Sequence, residues 1–322
     1  MATNNASYNG VLPWAYGTNV EGLQTAKEAA EAGGLSWGVV KDPLIAMVTK
    51  ASGITEPQVV AGKFTTRRDD DDRILGIVGK NFRPVPNLEA MGLMDALAQE
   101  AGAIFKSVGH IGDGERVWMM AQLPNSLRVK GSEDIIDKML LLSNAHDGSK
   151  SLVMGFTPFR RMGASVMNVA VGRLHDKLSI RHTAKFDEHV KEARRVLKLQ
   201  EDYFEHLGIL FDGLADVPID NKKFNEVLDA VIPLPTEGRT EKAEGARERL
   251  EQLWAKENET NPFANTGWSL FSAFSNYGDH HKSFKSRKDE EGSKEQLRFL
   301  SIMEGSSQTL KNDALSAILD LK

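Results

Sequence analysis

The residues able to do chemistry fall into a few short groups. His146 and Asp147 open the run His146-Asp147-Gly148-Ser149. An imidazole beside a carboxylate can work as an acid–base pair, and Asp147 could add to a metal site. Asp-Gly is equally the strongest short hairpin-turn signal, so a tight turn with polar residues facing solvent is the expectation. Asp279 and His280 close the aromatic segment that starts at Trp268. Asp279 could accept a hydrogen bond from His280 or from Arg161. Asn144, His146, Asp147, Asp279 and His280 together form a candidate polar site. A metal-dependent enzyme would require His146, Asp147, Asp279 and His280 to converge on one pocket.

Asp69 to Asp72 invite a Mg²⁺ reading, but Arg67, Arg68 and Arg73 flank them. Neighbouring residues of an extended strand face opposite ways, so a solvated, locally neutralised loop is expected. His175, His182 and His189 repeat every seven residues. His182 and His189 would lie roughly 10 Å apart along a helix, too far to ligate one ion together. There is no HExxH, GxGxxG or phosphate-loop motif. No metal and no cofactor is expected.

Basic residues form the other group. The formal charge swings from +6 over residues 151–200 to -6 over the next fifty. Arg160, Arg161, Arg173, Lys177, Arg181 and Lys185 could line a phosphate-binding groove, with Phe156 and Phe159 stacking on bases. The plainer account is ordinary surface charge and aromatics that fill a sheet face.

These groups sit in a chain of 322 residues with net charge -5, 41% hydrophobic residues and no cysteine. Disulfides and thiolate chemistry are thereby excluded. The acidic total argues against a uniformly basic, nucleic-acid-coating protein. No targeting signal or membrane-length apolar run is visible, so a cytoplasmic protein is the default.

The elements that must position these residues change character midway. LQTAKEAAEA reads as a helix stopped by Gly33-Gly34, and LSWGVVKDPLIAMV as strand, turn at Asp42-Pro43, strand. Residues 64–82 suggest a further strand pair. Asn87 is placed to cap a helix over LEAMGLMDALAQEA. Gly112-Asp113-Gly114 marks a hairpin turn, Ser132 a short helix over 133–138, and the His146 run another hairpin tip. From residue 184 onward the apolar spacing is helical: 184–215, 220–231, from about 238, and from Trp268, with a charged loop at 285–295. The expected fold is therefore α+β: an antiparallel, hairpin-rich sheet with packed helices and a helical C-terminal layer. The expected divisions are residues 1–62 as lead-in elements, 63–183 as hairpin-rich core, and 184–322 as helical layer.

Several separated stretches resemble the phage- and plasmid-associated DUF932 family. They are LGIVGKNFRPVPNLEAM (75–91), GERVWMMAQLP (114–124), LLLSNAHDGSKSLVMGFTPFRRM (140–162), RHT (181–183) and TGWSLFSAFSNYGDHH (266–281). Where many relatives carry a Cys and an Asn-Thr pair, this chain has Gly163-Ala164-Ser165. The resemblance implies no established activity; it implies an infected or plasmid-bearing bacterial cell as setting. Hairpins around a helix also resemble, in architecture, the Rad52-like single-strand annealing proteins. The leading expectation is a phage-type DNA-associated protein that binds or anneals single strands as a homo-oligomer. The alternatives are a self-assembling structural or host-interacting phage protein and the metal-dependent enzyme.

Overall fold

The computed structural model describes residues 16–168, 177–180, 200–236, 240–283 and 291–321. Its main sheet is antiparallel throughout, in the order β1 (Thr18–Asn19), β5 (Ile104–Ile111), β6 (Arg116–Gln122), β8 (Ile135–Ala145), β9 (Leu152–Arg160) and β10 (Ser165–Val166). β7 (Leu127–Arg128) pairs with β8, and β11 (Lys177–Ile180) with β9. A second sheet has the order β2 (Val39–Thr49), β3 (Thr55–Arg68), β4 (Ile74–Gly79). This is the expected α+β architecture. Arg173, Arg181, Lys185, His175, His182 and His189 lie outside the described residues, as does the side chain of Lys177.

β6 shows why the sheet needs two cover layers. Val117, Met119 and Ala121 join one apolar cluster, while Trp118 and Met120 join another on the opposite face. A continuous apolar run is the signature of a strand buried on both sides. The first face packs on α1 (Ala26–Ala32), α2 (Asn87–Ala101), α3 (Gln200–Ala215) and α6 (Gly267–Asn276). The second meets Phe299, Ile302 and Met303 of α7 (Glu291–Glu304), with Phe299 stacked on Trp118 at 4.5 Å. α4 (Asn221–Val231), α5 (Glu241–Thr260) and α8 (Ser306–Leu319) complete the C-terminal layer. All ten residues of α6 are buried. A helix buried on every side belongs at the centre of a layer, and α6 is there.

Two local expectations are corrected. Asp42-Pro43 does not turn the chain: β2 runs through it to Thr49. β2 is an edge strand, where a missing N–H need not break a ladder. Residues 133–138 are not a helix. β8 starts at Ile135 and pairs on both sides, and those ladders outweigh the local capping signal of Ser132.

The second sheet is anchored at one end only. Thr66 Oγ1 donates to the His146 carbonyl at 2.7 Å, and Arg68 Nη1 donates to the Asp113 carbonyl at 3.1 Å. β4 pairs with β3 only over Lys63–Arg67. Beyond that point β2 and β3 form a two-stranded ribbon whose residues 45–59 are exposed, except for Ala46 at intermediate burial.

Candidate functional site

The His146 run is the tip of the β8–β9 hairpin, as expected. Its two chemical residues part company there. His146 is fully buried, and its Nε2 lies 2.7 Å from Asn87 Oδ1. Asn87 Nδ2 in turn donates to the Trp37 carbonyl. Asn87 thus stitches the hairpin to the second sheet, whereas its sequence position suggested only a helix cap. Asn144, also buried, donates to the Val85 carbonyl at 3.0 Å. Asp147 makes a local turn: its Oδ1 accepts from the Ser149 N–H at 2.9 Å and from the Ser149 hydroxyl at 2.6 Å. Asp147→Asn should change stability by less than about 0.5 kcal/mol, because the amide oxygen accepts the same N–H. Gly76→Ala should instead lose about 1–3 kcal/mol as overpacking. A Cβ there would stand 2.5 Å from the Asp147 Cα. Urea denaturation of the two variants would separate the turn chemistry of the tip from the packing of β4 against it.

Of the proposed nucleic-acid contacts, the side chains of Arg160, Arg161, Phe156 and Phe159 are described, and three of these four are buried. Arg160 is 1% exposed, and Phe156 and Phe159 are buried too, at 2% and 3%. None of the three can reach a phosphate or a base. Phe156 packs instead on Tyr203 and Phe204 of α3. Arg161 is half-exposed and bound through Nε and Nη2 to Asp137, not to Asp279.

Arg160 is the centre of a buried ionic cluster. Its Nε and Nη2 grip Asp134 at 2.8–3.0 Å, and its Nη1 contacts both oxygens of Glu257 at 3.0 Å. Trp268 Nε1 donates to Asp134 and Asn261 Nδ2 to Glu257. Burial alone would lower the Arg160 pKa, but Glu257 and Asp134 outweigh it and hold the value above the usual one. The cluster joins the end of β9 to α5 and α6.

A second buried pair lies beside it. Asp279 and Lys311 are both fully buried, 2.6 Å apart. Asp279 Oδ2 accepts the Val166 N–H at 2.8 Å, and Lys311 Nζ donates to the Val166 carbonyl at 2.7 Å. The ion pair therefore supplies β10 with the acceptor and the donor that a further strand would have given. Between the two clusters the chain turns back through Gly163 (φ 79) and Ala164 (φ 49). Their carbonyls are taken by Asn276 Nδ2 and by His280 Nε2. For alanine this left-handed backbone is strained by about 1–3 kcal/mol and needs such restraints.

Burial lowers the His280 pKa below the ordinary 6.5, with Lys311 and Arg298 pushing the same way against Asp279 and the Ala164 hydrogen bond. The unfolded chain then binds the proton more readily. Stability from this group is present above pH 6.5 and is lost as pH falls through the folded value. His280→Gln should flatten that acid limb relative to the parent. Equilibrium unfolding over a pH series would read it.

The polar candidates do not form one pocket. His146 and Asp147 stand at one end of the β8–β9 hairpin, while Asp279 and His280 hold the loop and strand after its other end. β9, with nine residues, separates them by roughly 25 Å. The aspartate run is exposed and neutralised: Asp70 and Asp71 pair with Arg68, Asp72 with Arg67, and Asp71 also with Arg73. The Arg68 hydrogen bonds lower the Asp70 pKa. Among the described residues no three His, Asp or Glu side chains converge as a metal site requires. Nor is any described helix long and apolar enough to cross a membrane.

These features define an α+β protein whose antiparallel sheet is bolted to a helical layer by buried ion pairs. The chain belongs to the family described as a domain of unknown function, DUF932, which matches residues 74–300. That span holds Asn144, His146, Arg160, Glu257 and Asp279; β2, β3 and Lys311 fall outside it. No curated protein and no solved structure matches the chain.

Proposed function

We propose that the protein acts by assembling with copies of itself through the β2–β3 ribbon, as a structural protein of a phage or plasmid system. One observation carries this reading. The ribbon leaves the body as an isolated strand pair and exposes Ile45, Met47, Ile54 and Val59, each more than half accessible. Two-stranded ribbons are marginal alone in water, and free edges with apolar side chains invite pairing. Among the described residues, the candidates Asn144, His146, Arg160, Asp279 and His280 hold elements together. The test is light scattering over a concentration series, with the parent and a variant in which residues 44–63 are replaced by Asn-Gly. The parent should associate and the shortened chain should stay monomeric with its body folded. A parent that is monomeric at every concentration would reject the reading.

DNA association, single-stranded or otherwise, is a second reading with a narrower base. It rests on the +6 span, reduced to Arg173, Lys177, Arg181 and Lys185. β11 places Lys177 opposite Gly155 on a strand that, among the described residues, has only β9 as neighbour. Lys177→Gln should flatten the dependence of log affinity on log salt by about 0.7 for single strands. Absence of any binding by the folded parent would remove this reading and its likeness to annealing proteins.

A further inference from the structure

We infer that the outer edge of β2 is where a second copy joins, the two strands pairing antiparallel about a two-fold axis at Ala46. This rests on the assembly reading and gives it a register. β2 is an edge strand among the described residues, so its outward backbone groups lack a strand partner. A two-fold axis perpendicular to the sheet keeps each face on its own side. Opposed residues must then share a face, which restricts the axis to a residue position. The exposed apolar residues of one face are Ile45 and Met47, with Val59 opposite Ile45 and Pro57 opposite Met47 on β3.

An axis at Ala46 sets Ile45 against Met47 of the second copy. A continuous row then crosses four strands: Val59, Ile45, then Met47 and Pro57 of the other copy, and its symmetric equivalent. On the other face Leu44 meets Val48. The same register sets Asp42 opposite Lys50. Both charges are part-exposed, and among the described residues each pairs within its own ribbon, with Arg67 and Glu56 respectively. Shifting the axis to Ile45 puts Lys50 against Val40 and Asp42 against Val48. Shifting it to Met47 puts Lys50 against Leu44. Only the Ala46 register pairs the charges and the large apolar residues together. Pro43 lacks an N–H, and here it faces Thr49 near the end of the pairing, where one absent bond does least harm. Four strands also pass the size at which a sheet becomes stable by itself.

The absence of cysteine gives a clean test. Opposed residues of an antiparallel pair have Cα atoms about 4.5–5.5 Å apart, within disulfide range. Ala46→Cys should therefore form a disulfide-linked dimer with itself on mild oxidation, seen by non-reducing electrophoresis. Leu44→Cys and Val48→Cys should each fail alone, their own copies lying roughly 13 Å apart along the strands. Mixed together, they should cross-link to each other. At least tenfold more dimer from Ala46→Cys than from Val48→Cys is the expected result. Assembly that depends on the ribbon, with no such preference, would overturn the register and leave the assembly reading standing. A chain that stays monomeric would overturn both.

Discussion

Arg160→Ala should destabilise the fold by about 3–5 kcal/mol, as expected when one partner of a buried ionic cluster is removed. The guanidinium is the only cation on Asp134 and Glu257 in the described contacts, and both carboxylates are buried with it. Without it two negative charges stay in the interior between β9, α5 and α6. Arg160→Lys should recover only part, because one ammonium cannot fork between the two acids. Adding Asp134→Asn and Glu257→Gln to an Arg160→Met chain should recover more, since no charge is then stranded. Chemical denaturation of these variants decides the matter. A loss below about 1 kcal/mol in Arg160→Ala would mean the cluster is solvated, in contradiction to its burial.

Lys311→Met should show a loss of the same order, about 3–5 kcal/mol, for a related reason. It strands the buried Asp279 carboxylate and leaves the Val166 carbonyl without its donor. The double change Lys311→Met with Asp279→Asn should be less harmful than Lys311→Met alone. The amide oxygen still accepts the Val166 N–H, and no buried charge remains. Such a sign of coupling is the mark of residues acting as one unit. Additive losses in the cycle would show that the two side chains do not touch.

The β5–β6 and β8–β9 hairpins, with their turns at Gly112–Gly114 and Asp147–Gly148, and the helices from Asn221, Glu241 and Gly267 were legible in residue spacing, because each is dictated by local periodicity and turn chemistry. The β2–β3 hairpin was not, since the turn expected at Asp42-Pro43 lies inside β2, and α7 starts at Glu291 within the stretch expected as a charged loop at 285–295. The first part of the helix expected over 184–215 lies outside the described residues. What misled was the reading of Arg160, Phe156 and Phe159 as a surface cluster. β9 is covered on both faces, so its alternating side chains have no solvent side. A sign of this lay elsewhere in the sequence. Glu257 continues the buried stripe of Leu250, Leu253 and Trp254, and Lys311 precedes Ala314, Leu315 and Ile318 on theirs. A charge at a core position of a helix calls for an opposite charge across the interface. Which one answers it depends on how sheet and helices dock, and no local pattern encodes that.

The sequence distance inside the Arg160 cluster has a consequence for synthesis. Asp134 is made before Arg160, but Glu257 follows 97 residues later. At about 5–20 residues per second, the sheet emerges roughly 5–20 s before its second carboxylate exists. Through that interval the β8–β9 hairpin holds a guanidinium only half answered, with α5 and α6 still absent from its face. The Arg160 cluster, and with it the join of β9 to α5, therefore cannot be completed before residue 257 has been made.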